Sequence, residues 1–489
     1  MSKKKVIVVG SGNAALCAGI AALEKGAMVT IYEKADNKMA GGNTKYTAGA
    51  MRFAYDNGDQ LKGLLKNPND QRIEKTDFGS YTEEKFKSDL LNFNDGRPLS
   101  SEQKILVSKS LETIQWLSSH NVKFEPIFSR QSFLKDGKYV FWGGLTLAAE
   151  NEGVGLFEQE LSAFISLGGK IYYNSEITKL IYDEEQVKGV VVNDKKIEAD
   201  SVILASGGFE ANEELRKLYI GDPWVRAKVR GTPNNTGDGL KMALEIGAIK
   251  HGLYDGCHAT PMDLHMKDFG GLDLEPSERK NYRKICYFLG IMINAKGKRF
   301  LDEGKNFRNY TYAQYGRKVL EQPNNFAWQI FDSKVFNLLY EEYRFHDAHF
   351  VEGDSIEELI SKMDGIDKQE TKKTINEYND SVNSSTAFDP TILDGKSTEG
   401  LQVQKSNWAQ KIDKGPFRAF PVTGGITFTY GGLKVNENGS VLDNNDNHIK
   451  GLFACGELVG GVFFNGYPGG SGLTSGAVFG RMAGYGSAQ

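Results

Sequence analysis

The stretch from Val6 to Glu33, VIVVGSGNAALCAGIAALEKGAMVTIYE, limits what this chain can fold into more than any other. An apolar strand runs directly into Gly10-Ser11-Gly12-Asn13-Ala14-Ala15, a small-residue helix follows, and a second strand ends on the acid Glu33. That order is the βαβ unit that receives dinucleotides. Gly10 permits the tight turn, Gly12 lets the backbone approach a pyrophosphate, and Ala15 keeps the helix against the sheet, so the helix N-terminus meets the negative charge. Glu33 stands where an acid meets a ribose hydroxyl. A GxGxxA by itself says little, because many strand-to-helix turns carry one and bind nothing. The flanking strand, the helix and the acid at its proper distance make this one a nucleotide site.

At 489 residues the chain exceeds a single compact core, which implies two domains or one domain with a large insertion. Lys and Arg number 59 against 63 Asp and Glu, a net charge of −4, so nothing here attracts nucleic acid or forms a polybasic membrane anchor. Cys17, Cys257, Cys286 and Cys455 are scattered, without the paired spacing of a zinc, iron–sulfur or haem site, so no metal is expected and a reducing cytoplasm fits. The basic start MSKKK leads into the first strand rather than to a cleavage site, and no run reaches the roughly 18 apolar residues of a membrane span.

Beyond Glu33, Lys34 continues the acid's loop, and Gly41-Gly42-Asn43-Thr44 up to Gly49 is a small-residue segment whose amides are free to face a ligand. Residues 56–128 read as outer helices, 153–167 as a helix, 170–173 as a strand, and 176–182 as a strand pairing with 189–192. Ser201 to Leu204 repeats the opening theme, a buried parallel strand ending on Ala205-Ser206-Gly207. A turn-rich loop, Gly231 to Gly239, leads into a helix over 240–247. From His251 to about Gly424 aromatic and charged residues increase, and this reads as an inserted domain with helices over 355–363 and 367–384. Strands over 431–435 and 451–457 follow, then a small-residue helix opening at Pro468-Gly469-Gly470-Ser471-Gly472-Leu473. The expected division is 1–253 and 425–489 for a cofactor domain and 254–424 for a cap.

GSGNAAL, Glu33, GGNT, ASGGF, NTGDG, GIMINAKGKRFLDE, FACGE and PGGSGLTSGAVFGR resemble, in order and over nearly the whole length, the flavoproteins of the fumarate reductase and succinate dehydrogenase superfamily. GCHA, FRNYTYAQYGR, AWQIFD and YPGGSGL are most similar to FAD-dependent tricarballylate dehydrogenases, with ketosteroid dehydrogenases more distant. The resemblance implies an α/β fold: a glutathione-reductase-like, Rossmann-type FAD-binding domain with an inserted α+β cap that closes over the isoalloxazine. It implies FAD as cofactor, held by Gly10, Gly12, Asn13, Ala14 and Ala15 at the pyrophosphate and by Glu33 and Lys34 at the adenosine ribose. Gly42, Asn43, Thr44 and Gly49 would serve the pyrophosphate and flavin side, Ile177 and Ala205, Ser206 and Gly207 the adenine, and Asp238 and Glu457 the ribityl chain. Ser471, Gly472 and Leu473 would bring a helix N-terminus to the pyrimidine edge. No histidine follows the GGNT loop, where covalent relatives attach the flavin, so non-covalent FAD is expected.

Counting through from the GIMIN motif, the resemblance places the family's proton-transfer arginine at Arg308 and a substrate-binding histidine at His258. It also marks departures. The reductases' Glu-x-x-Arg relay reads Lys284 and Tyr287 here, and their second carboxylate clamp reads Thr427-Phe428 and Tyr467. Arg230, Arg52 and Arg283 are the candidate replacement cations, and Phe428, Tyr430, Phe463, Phe464 and Tyr467 a candidate aromatic lining. The expected activity is a dehydrogenase acting on a CH–CH bond next to a carboxylate. The alternatives are a reductase of an unsaturated acid or enone, a ketosteroid-dehydrogenase-like enzyme, and a flavin-binding sensor without turnover. The expected partners are a polycarboxylate or enone substrate and an unidentified electron donor or acceptor.

Overall fold

β1, Lys5–Val9, lies inside a six-stranded sheet, and its four branched residues Val6 to Val9 are all buried, as expected of a parallel strand covered on both faces. The computed structural model describes residues 3–183, 185–269, 282–345 and 348–489. The strand order is Ser440–Leu442, His448–Ala454, Ser201–Leu204, β1, Met28–Tyr32 (β2) and Lys170–Tyr172. All neighbours pair in parallel except the first two. α1, Asn13–Glu24, rises from the glycine turn after β1. The last helix, Ser471–Ser487, packs closely on α1 through its glycines. A Cβ on Gly480 would lie 2.5 Å from the Ala14 carbonyl oxygen, and one on Gly484 only 2.2 Å from that of Ala18. Glycine at these spacings lets two backbones touch.

The chain divides into two units. The first holds Met1–Gly221, Gly231–Cys257 and Phe428–Gln489, the second Asp222–Arg230 and His258–Thr427. The limits therefore fall at 257/258 and 427/428 rather than at 253/254 and 424/425, and 222–230 goes with the second unit. The reason is strand pairing: Lys228–Val229 pairs in parallel with the long strand Phe417–Thr429. That strand also pairs with Phe326–Asp332, Val351–Gly353 and Cys257–Asp263, and Ile291–Asn294 extends the sheet from Phe326–Asp332. Gly424-Gly425, where the sequence places the end of the inserted domain, lies inside the long strand. A Cβ on Gly424 would meet the Gly316 carbonyl oxygen at 2.4 Å, and one on Gly425 the Met262 side chain at 2.2 Å, so the glycines serve close packing. Behind this sheet Ile291, Ile293, Trp328, Ile330, Leu359 and Ile375 form a core with the helices Ile356–Lys362 and Lys368–Ser381.

Candidate active site

In the first unit the carboxyl ends of the parallel strands gather the glycine turns. Gly10 adopts φ +98°, and a Cβ there would lie 2.6 Å from the Ala205 carbonyl oxygen, so the β1 turn and the turn after Ser201–Leu204 touch through backbone. Gly12, the residue before α1, makes no side-chain cap to the helix, and a Cβ on it would meet only Thr44 Oγ1 at 3.4 Å and the Gly41 carbonyl oxygen at 3.6 Å. The Asn13 amide donates to Thr44 Oγ1 (2.9 Å), and Asn13 Nδ2 to the Leu473 carbonyl (2.8 Å), tying α1 to the start of the last helix. That helix likewise begins after a glycine, Gly470 at φ +90°, with no side-chain cap. Ser206 Oγ is buried with no hydrogen-bond partner among the described residues. Two helix N-termini that each follow a glycine, an open glycine cradle and an orphaned hydroxyl fit a phosphate-bearing dinucleotide.

Glu33, directly after β2, is buried, with Oε2 accepting from Ser11 Oγ (2.6 Å) and Oε1 from the Ala35 amide (2.8 Å). Asp238 and Glu457, grouped by sequence, have separate environments. Asp238 pairs with Lys34 (2.6 Å) beside Thr236, whereas Glu457 Oε1 accepts from the Thr429 amide (2.6 Å) and hydroxyl (2.9 Å). Facing Glu457 is Glu210, which sequence reasoning missed although it directly follows ASGGF. Asn235 Nδ2 (2.6 Å) and Asn43 Nδ2 (2.7 Å) both donate to Glu210 Oε1. Burial, and then the other carboxyl, hold Glu210 well above the usual carboxylate range, and burial raises Glu457.

The other cofactor candidates of this unit also shape the frame around these turns. Gly42 and Gly49 take positive φ, +53° and +62°, and a Cβ on Gly49 would strike the Glu152 backbone. Ile177 opens the strand Ile177–Tyr182, and Gly207 (φ +74°) leaves space for Asn235. Ser471 Oγ donates to the Pro468 carbonyl. Gly472 faces the rings of Phe428 and Tyr467, at 3.6 and 3.9 Å from a notional Cβ. Those rings join Tyr430 and Phe463 in an edge-on cluster, with neighbouring centroids 5.3–5.9 Å apart. Arg52 is a correction. It is fully buried, its Nε donating to the Gly469 carbonyl (2.7 Å) and Nη1 to that of Gly143 (2.6 Å), with the Tyr81 ring 4.8 Å from the guanidinium. It clamps the turn before the last helix instead of offering a charge to a substrate.

In the second unit the structure gathers the remaining candidates. His258 is completely buried on the strand Cys257–Asp263, with the Tyr312 ring edge-on at 4.9 Å. Burial first, then the charges of Arg230 and Arg283, push its imidazole well below the ordinary histidine range, so it is neutral at pH 7. Arg230 sits at the end of the short strand Lys228–Val229, 3.4 Å from Thr427 Oγ1, and Arg283 lies 3.4 Å from Glu342. Arg308 opens the turn before the helix Tyr312–Leu320. Its guanidinium carbon is 5.2 Å from the centre of the Tyr340 ring, and its buried Nε has no partner among the described residues. Burial works against its charge, while Tyr340, Tyr312, Cys286 and Tyr287 work for it, and the net shift is upward. Tyr312 thus touches His258 and bears on Arg308, a link the sequence did not signal. At the relay positions, Lys284 donates to the Glu342 carbonyl (2.9 Å) and faces Asp263 (3.5 Å), and the Tyr287 hydroxyl bonds that of Thr311 (2.7 Å).

A central parallel strand emptying into a glycine turn at the N-termini of two glycine-preceded helices defines a dinucleotide-binding protein. The chain belongs to the FAD binding domain family, whose model matches residues 5–473. It is 29% identical over 506 residues to a probable fumarate reductase, Ifc3, of Shewanella frigidimarina, a match covering 99% of this chain and 75% of that one. It is 28% identical over 346 residues to a 3-oxosteroid 1-dehydrogenase of Mycolicibacterium smegmatis, covering 65% of this chain and 58% of the other. Among solved structures, the open conformation of a flavocytochrome c3 fumarate reductase matches with a TM-score of 0.72 at 27% identity, covering 100% of this chain and 78% of that one. The protein is an FAD-dependent oxidoreductase with homologues in the fumarate reductase and succinate dehydrogenase superfamily. No described helix is long and apolar enough to cross a membrane, and no three described His, Cys, Asp or Glu side chains are grouped to hold a metal.

Proposed function

We propose that this protein exchanges hydrogen across a CH–CH bond next to a carboxylate, on a polycarboxylate of the tricarballylate type. The observation that supports this reading is the cationic cluster of the second unit, His258 with Arg230 and Arg283 about it and Arg308 joined to it through Tyr312. Each charge-assisted hydrogen bond to a buried carboxylate contributes about 1.5–3 kcal/mol, so a cluster with several donors selects a substrate with several carboxylates. FAD, bound without a covalent link by the glycine turns, Glu33, Lys34, Asn43, Thr44, Asp238, Glu457 and the Ser471–Leu473 helix start, supplies hydride exchange at N5. Neutral His258 donates an N–H to a substrate carboxylate. Arg308 exchanges the proton. Held charged, it is a donor at rest, which favours reduction of an unsaturated acid, and the reverse oxidation returns the proton to the same nitrogen.

A second reading has its own support. The rings of Phe428, Tyr430, Phe463 and Tyr467 suit a planar apolar body, which the name of the 3-oxosteroid 1-dehydrogenase relative matches. A screen of holoprotein against di- and tricarboxylates, enoates and steroid ketones separates the two. Flavin bleaching by a saturated polycarboxylate, or reoxidation of reduced flavin by an unsaturated one, supports the first. A response to steroid ketones alone overturns it.

A further inference from the structure

Two carboxyl groups, Glu210 and Glu457, face each other at the strand ends of the first unit, each held on one oxygen by neighbouring side chains. Glu210 Oε1 is occupied by two amide donors, Asn43 Nδ2 and Asn235 Nδ2, while no donor among the described residues reaches Glu210 Oε2. Its side-chain partner is the carboxyl of Glu457, whose Oε1 is held by Thr429. Both side chains belong to the interior: Glu210 is fully buried, and a Cβ on Gly208 would lie 2.0 Å from Glu457 Oε1. Two carboxylates bond to one another only if one of them carries a hydrogen, and two bare charges in contact away from water are the most costly arrangement. Asn43 comes from the GGNT turn, Asn235 from the loop before the helix Asp238–Glu245, Thr429 from the long strand, and Glu457 from the turn after His448–Ala454. The other charged groups here are spoken for, Arg216 donating to the carbonyl of Glu210 (2.8 Å) and Lys34 pairing with Asp238.

We propose that Glu210 is a positioning residue of the FAD site: it shares one proton with Glu457 and, through Asn43 and Asn235, locks together the segments that receive the cofactor. The pair therefore has to keep its proton for the site to hold its shape. A carboxyl raised in the folded state contributes its stability at low pH and loses it as pH climbs through the folded value, so the site loosens as the solution becomes alkaline.

The test uses the full chain freed of FAD and needs no substrate, so it stands apart from the proposed reaction. FAD is titrated into wild type, Glu210→Gln and Glu210→Ala between about pH 6 and pH 9, read by flavin fluorescence, and the thermal midpoint of each FAD-free sample is followed over the same range. Glutamine offers an amide donor to Glu457 and a carbonyl to Asn43 and Asn235 without titrating. Wild-type affinity is expected to weaken about tenfold or more across the range, Glu210→Gln to vary by less than about twofold, and Glu210→Ala to bind about tenfold more weakly throughout. The wild-type midpoint should fall with pH and that of Glu210→Gln should fall less. Should Glu210→Ala fail to fold, the glutamine profile decides alone. A pH-independent wild type, a Glu210→Gln protein that repeats the wild-type profile or loses FAD outright, or a folded Glu210→Ala protein that binds like wild type overturns the proposal.

Discussion

Gly12→Ala separates a glycine kept for a ligand from one kept for the fold. At Gly12 the backbone has φ −71° and ψ 177°, open to any residue, and the nearest atoms to a new Cβ are Thr44 Oγ1 at 3.4 Å and the Gly41 carbonyl at 3.6 Å, ordinary contacts. Alanine at a helix N-cap costs up to about 1 kcal/mol relative to glycine, so the FAD-free protein should melt close to wild type. The methyl group instead occupies the approach to the pyrophosphate. Overpacking of that kind costs about 1–3 kcal/mol, and at about 1.4 kcal/mol per decade FAD affinity should fall roughly tenfold to a hundredfold. Gly10→Ala is the control. It forces a side chain into φ +98° and 2.6 Å from the Ala205 carbonyl, at a combined cost of about 3 kcal/mol in the protein without cofactor. Chemical denaturation of FAD-free protein and equilibrium FAD titration measure the two effects. A Gly12→Ala protein that binds FAD as wild type does, or that loses as much stability as Gly10→Ala, refutes the reasoning.

Two further outcomes follow from buried groups. Lys405 is wholly buried with Nζ on the Gly290 carbonyl (2.6 Å), and burial lowers its amine from 10.5 to about 8. The unfolded chain binds the extra proton between those values, so this residue adds stability as pH rises from about 8 towards 10.5, by roughly 1–3 kcal/mol. Lys405→Met should flatten that part of the denaturant-midpoint profile, and a variant with an unchanged profile contradicts the assignment. His258→Ala should leave FAD affinity unchanged and raise the KM for a carboxylate substrate about tenfold or more, since one donor to a charged group is lost. Wild-type KM should be flat between about pH 7 and 8 so far as this residue is concerned, because burial favours its neutral imidazole.

What was legible in the sequence is what is local. The βαβ unit reads correctly because turn, helix and flanking strands are fixed by contiguous residues, and its parallel partner Ser201–Leu204 is betrayed by the same apolar run into small residues. The sheet of the second unit was hidden. Its strands come from 228–229, 257–263, 291–294, 326–332, 351–353 and 417–429, and the longest contains Pro421, Gly424 and Gly425, which sequence rules take as breakers. Those glycines are there for neighbours that only the fold supplies, Gly316 and Met262. The same limit governs the sites. Glycine turns announce themselves, whereas the Glu210–Glu457 pair joins residues distant along the chain. Arg52 looked like a spare cation because composition does not show the carbonyls of Gly143 and Gly469 that receive it.

The role of Arg308 is tested by anaerobic reoxidation of the reduced flavin, in a single turnover, by the unsaturated polycarboxylate that the screen identifies, comparing wild type with Arg308→Ala. FAD affinity should be unchanged and the reoxidation rate lower by about a hundredfold or more. Reoxidation of the variant within about threefold of wild type, with FAD fully bound, would contradict that role.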